Sequence, residues 1–88
     1  MTRVLIITGD PLAAAMAGPA IRAYNMGLTL QAAGHEVRLV STTRAEHPAP
    51  PFAMLHVAAG DERGMRGHER WAEVVLFQGY ATTQFRAI

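Results

Sequence analysis

The residues from Arg3 to Ser41 constrain the fold most: they read as an apolar strand, a small-residue loop, an amphipathic helix and a second strand. Residues 3–8 are an aliphatic run without alternation, stopped by Gly9-Asp10-Pro11. A strand buried on both faces reads this way, and such strands belong to parallel sheets. Pro11 lacks an N–H and disfavours helix in the residue before it, so regular structure ends at Asp10. Residues 12–17 form a connection, and Gly18-Pro19 then predicts a helix start, with Gly at the N-cap and Pro at the first helical position.

The helix is expected to run to about Ala33. Ala23, Met26, Gly27, Leu30 and Ala33 recur at three- and four-residue steps on one face, flanked by Ile21, Tyr24 and Leu28, while Arg22, Asn25 and Thr29 fall opposite. Gly27 costs about 1 kcal/mol of helix propensity, which predicts a close backbone approach to the sheet. Gly34 is placed to cap the C-terminus. Residues 36–41 alternate as in a strand nearer a sheet edge, and the whole unit predicts a βαβ crossover.

Farther along, residues 42–51 make a polar, Pro-rich loop and residues 52–58 suit a third strand. Residues 61–71 suit a poor helix interrupted by Gly64 and Gly67. Residues 73–78 form an apolar strand stopped by Gly79, and residues 81–88 resemble the first two turns of another helix. The expected class is therefore α/β, a partial Rossmann-like parallel sheet in one domain. About one and a half good helices would serve three or four buried strands. A missing domain or a homo-oligomer partner is thus expected to cover the sheet.

Composition narrows the function classes. The chain has 88 residues and a net charge of +1, which gives no electrostatic case for nucleic acid or an anionic membrane. It has no Cys, which removes a disulfide scaffold, a thiolate nucleophile and a Cys-based zinc site. The apolar start is too short for a signal peptide, and no run approaches the roughly 20 residues of a membrane span; a cytoplasmic chain is expected. His35, His47, His56 and His68 are separated by 12, 9 and 12 residues, which matches no local ligand pattern, so no metal is expected. Neither Gly-x-Gly-x-x-Gly nor a Walker A motif is present. Trp71 is expected as a core anchor.

Three stretches, Arg3-Val-Leu-Ile-Ile-Thr-Gly-Asp-Pro, Met16-Ala-Gly-Pro-Ala-Ile-Arg-Ala-Tyr and Gly34-His-Glu-Val-Arg-Leu-Val, resemble the N-terminus of bacterial, family-4-like GT-B glycosyltransferases. Glu73-Val-Val-Leu-Phe-Gln-Gly resembles the later strand that ends at the cleft of such enzymes. The resemblance implies that residues 1–88 are the first part of the N-terminal, acceptor-side Rossmann-like domain. The C-terminal donor-binding domain would be absent. In the full-length enzyme, a sugar would pass from a nucleotide-sugar donor to an acceptor. The donor would be a substrate held mainly by the missing domain; no cofactor and no catalytic residue would fall on this chain. One departure is Ala17, which precedes Gly18 where many relatives carry two adjacent glycines.

The loop after the first strand has its own physical rationale. Ligands of open α/β sheets sit beyond the carboxyl ends of the strands, where a following helix aims free N–H groups and partial positive charge. This predicts substrate contacts at Gly18, Arg22, Asp10, Gln78 and Gly79. Each has a plainer reading: a helix start for Gly18, a solvated helix face for Arg22, an Asx turn for Asp10, and a helix-start turn for Gln78-Gly79-Tyr80. Two alternatives to the transferase stay open. One is a small non-catalytic α/β module that binds a nucleotide or a protein; the other is a different Rossmann-type enzyme, disfavoured by the missing fingerprint.

Overall fold

The structure is a computed structural model that describes residues 2–9, 12, 18–43, 45–47, 50–58 and 60–78, with Pro19 and Gln78 described at the backbone alone. The elements run β1 (Arg3–Thr8), α1 (Gly18–Ala32), β2 (Glu36–Ser41), β3 (Ala53–His56), α2 (Glu62–Trp71) and β4 (Val74–Gln78). The four strands form one all-parallel sheet in the order β3-β2-β1-β4. That is the opening order of a doubly wound sheet, so the chain has the partial Rossmann-like α/β architecture that its sequence predicts. The expected helix over residues 81–88 lies outside the described residues.

β1 sits at the centre of this arrangement because its side chains are apolar in both directions. Val4 and Ile6 pack towards α1 with Leu12, Ala20, Ala23, Val37 and Leu39. Leu5 and Ile7 pack towards α2 with Val40, Val57 and Met65. Leu5, Ile6 and Ile7 are completely buried, and each contributes roughly 1.5–3 kcal/mol by leaving water. Each face of the sheet therefore carries a helix, where the sequence offered about one and a half good helices for the two faces. Ile21 and Val74 are the described large apolar residues that remain exposed, both at 42%.

α1 keeps its expected face in part. Ala20, Ala23 and Gly27 are buried, Met26 and Leu30 are half-buried against the core, and Ala33 is exposed beyond the helix end. The helix includes Gly18 itself, one residue ahead of the expected first position. Its end is a complete Schellman turn: the Gly34 N–H donates to Gln31 O (2.9 Å) and the His35 N–H to Leu30 O (3.0 Å). Gly34 has φ +93°, the left-handed conformation that this turn requires.

Three expectations need correction. The close approach at Gly27 is to a side chain, not to the sheet. A β-carbon there would lie 2.8 Å from Cε2 of the Phe52 ring and closer still to Cζ. β2 is an interior strand, since β3 pairs on its outer side. Its alternation arises because Arg38 lies on the α2 side, with its guanidinium 4.0 Å from the centre of the Trp71 ring. Finally, α2 runs through Gly64 and Gly67 for ten residues. Asp61 caps it by accepting from the Gly64 N–H at 3.1 Å, and Met65 anchors it in the core. Trp71 is half-buried and packs against that same cluster.

Candidate functional site: the carboxyl edge of the sheet

The register places one residue from each strand in a row along the carboxyl edge. Gln78 pairs with Thr8, Thr8 with Ser41, and Ser41 with His56. Thr8 and Ser41 are fully buried. Both occupy the same side of their strands as Val4, Ile6, Val37 and Leu39, the side covered by α1. The chain beyond β2 folds back across the end of β1. The Thr42 N–H donates to Thr8 O (3.1 Å), and the Thr43 hydroxyl donates to Gly9 O (2.5 Å). Ser41 Oγ accepts from the Thr43 N–H at 3.1 Å, a local Ser turn that leaves the strand.

Thr42 differs from its neighbours. It is 8% exposed, and its Oγ1 is buried with no hydrogen-bond partner among the described residues. A buried hydroxyl without a partner is costly, by about 1–3 kcal/mol, so its presence at this edge is a notable polar feature. The sequence reading missed it. The available signal was Ser41-Thr42-Thr43, three hydroxyl residues directly after a buried strand.

Leu12 falls in the stretch that the sequence presents as a small-residue connection. It is fully buried, forms a parallel bridge with Ala45, and its carbonyl accepts from the Glu46 N–H at 2.6 Å. This seats the chain after β1 against the chain after β2. On the other side of the same loop, His47 stacks on Tyr24 of α1 with ring centres 5.5 Å apart, and Tyr24 meets Phe52 at 6.0 Å. His47 is thereby held against α1.

At the start of α1 the structure brings together two of the predicted residues. Gly18 is exposed, and among the described residues a β-carbon there would meet the Arg22 side chain, with Nη2 at 3.9 Å. Packing against the described residues thus does not demand glycine at this position. The same distance shows that the Arg22 side chain folds back, with its guanidinium beside the first residue of the helix. Backbone donors and a cation therefore share one space, the combination that attracts phosphate or carboxylate. Gln78 ends β4 in the edge row, through its backbone. Asp10 and Gly79 lie outside the described residues.

Two hollows lined wholly by described residues lie elsewhere, near the amino ends of the strands. One, of about 570 Å³, opens between Gln31, Glu36, Arg38 and Phe52. The other, of about 240 Å³, lies between Leu30 and His35 on one side and Val74 and Leu76 on the other. Both are broad and open. The connectivity of a parallel sheet favours the carboxyl edge for ligands, so size does not decide the site here. Among the described residues no three His, Asp or Glu side chains gather into a possible metal site, and no described helix is long and apolar enough to cross a membrane.

No known protein family, curated protein or solved structure matches the chain.

Proposed function

We propose that the chain is the acceptor-side portion of the N-terminal domain of a GT-B glycosyltransferase, which moves a sugar from a nucleotide-sugar donor to an acceptor. The observation that carries this reading is the juxtaposition of Arg22 Nη2 with Gly18 at the start of α1. It adds a cation to a helix N-terminus that follows the first strand of a parallel sheet, the position where such domains meet anionic ligands. The opening sequence of β1, the Ala-Gly-Pro-Ala-Ile-Arg stretch and the Gly-His-Glu-Val entry to β2 support the same reading by resemblance.

In this reading the chain contributes one wall of a cleft. Backbone N–H groups of the first turn of α1 receive an oxygen of the donor diphosphate or of the acceptor, and Arg22 offsets its charge. No side chain here acts as nucleophile or general base, and transfer depends on a second domain.

The chain by itself is therefore expected to show no turnover. Incubation with nucleotide sugars and candidate acceptors, read by release of free nucleoside diphosphate, should match a protein-free blank; turnover above the blank would contradict the proposal. The DNA beyond the Ile88 codon provides the second arm. An in-frame second Rossmann-like domain carrying spaced glutamates supports the transferase. A stop codon together with a folded homodimer supports a non-catalytic binding module instead.

A further inference from the structure

The C-terminal turn of α2 is tied to the sheet by a cluster unrelated to the carboxyl edge. Arg38 of β2 lies over the Trp71 ring, its guanidinium carbon 4.0 Å from the ring centre, and its Nη1 is 3.2 Å from Nδ1 of His68. Arg3 of β1 donates from Nε to Trp71 O at 2.6 Å. An arginine nitrogen is only a donor. Its bond to Nδ1 therefore requires that this nitrogen carry a lone pair, which fixes His68 as the neutral, Nε2-protonated form. Protonation removes the lone pair and sets two cations 3.2 Å apart.

We propose that His68, Arg38 and Trp71 form an acid-sensitive latch: neutral His68 closes the end of α2 onto the sheet, and protonated His68 releases it. The half-buried Val75 and Phe77, which pack on the same cluster as Trp71, are the apolar surface that release would uncover.

The surroundings of His68 favour this behaviour. Arg38 comes from β2. Arg3 comes from β1 but is engaged by Trp71 O and by Glu73, at 4.0 Å from the carboxylate. His56 of β3 sits at the opposite, carboxyl edge. On α2 itself Glu69 adjoins His68 in sequence, with Arg66 and Arg70 two residues away on either side. The helix C-terminus favours an imidazolium in the last turn by about 0.3–1 kcal/mol. Burial and the Arg38 charge outweigh it and hold His68 below its ordinary 6.5. The sign follows directly: the released form binds the proton near 6.5 and the latched form only at lower pH. The ratio of latched to released chain thus falls by up to tenfold per pH unit between 6.5 and the lowered value, and is constant outside that window.

Trp71 is the only tryptophan in the chain, so its fluorescence reports the latch directly. The full chain is titrated from pH 8 to pH 5 while Trp71 emission and amide exchange of residues 68–72 are followed. The expected result is a red-shifted emission and faster exchange with a midpoint below 6.5. His68→Gln, which accepts a hydrogen bond but does not titrate, should lack the transition; His35→Gln and His56→Gln should retain it. A transition that persists in His68→Gln overturns the latch. Should that variant fail to fold, NMR titration of the His68 ring in the unaltered chain decides: titration at or above 6.5, or without a concurrent change at Trp71, overturns it equally.

Discussion

Replacing Gly27 with alanine sets two known effects against each other. Alanine improves helix propensity by up to about 1 kcal/mol. Its β-carbon would lie 2.8 Å from Cε2 of Phe52 and closer to Cζ, well inside contact distance. Relief requires the ring to tilt away from α1, which disturbs its 6.0 Å packing with Tyr24. Overpacking of this kind costs about 1–3 kcal/mol, so Gly27→Ala should destabilise by about 1 kcal/mol net. In a Phe52→Leu background the ring tip is gone and only the propensity gain remains, so the same substitution should stabilise by up to about 1 kcal/mol. Urea unfolding of the four proteins, followed by far-UV circular dichroism, gives the cycle. The prediction is a reversal of sign and a coupling of about 2 kcal/mol. An equal effect of Gly27→Ala in both backgrounds would refute the argument that Phe52 is the reason for glycine.

Two further substitutions probe the helix end and the sheet edge. Gly34→Ala meets no steric neighbour within 4 Å but must keep φ +93°, so it should lose about 1 kcal/mol through backbone strain alone; thermal unfolding should show Gly34→Asn losing less. Thr42→Val removes the unpartnered Oγ1 while keeping the side-chain shape. It should be neutral or stabilise by about 1 kcal/mol, and a loss above that size in urea unfolding would mean that the hydroxyl has a partner in solution.

The parts of the fold legible in the sequence were those in which local pattern and tertiary setting agree. The aliphatic run of β1 has no polar face to offer water, so a central parallel strand is its natural setting. Gly34 follows an apolar helical period and is well placed as its cap, which the Schellman turn bears out. What escaped were features made by residues distant in the chain. Gly27 announced a close contact, but its partner is Phe52, on the far side of β2, and no local pattern names it. The alternation of β2 suggested a strand nearer an edge because Arg38 reads as solvent-facing, whereas it covers Trp71. α2 looked interrupted because its glycines lower propensity; the Asp61 cap and the burial of Met65 offset that. Around the candidate site, the placement of Gly18 and Arg22 at the start of α1 and of Gln78 at the end of β4 was legible from the strand–loop–helix pattern and the apolar last strand. The burial of Thr42 depends on the chain after β2 crossing the end of β1, a contact that spacing alone does not reveal.

The central claim is that the start of α1, with Arg22 folded over it, receives an anionic group. Titration of the isotopically labelled chain with a nucleoside diphosphate, followed by amide NMR, tests it directly. The account predicts saturable shifts centred on Gly18, Ala20, Ile21 and Arg22, weakened at least several-fold by Arg22→Ala, since a charge-assisted hydrogen bond contributes about 1.5–3 kcal/mol. Absence of shifts there at millimolar ligand, or shifts that Arg22→Ala leaves unchanged, would contradict it.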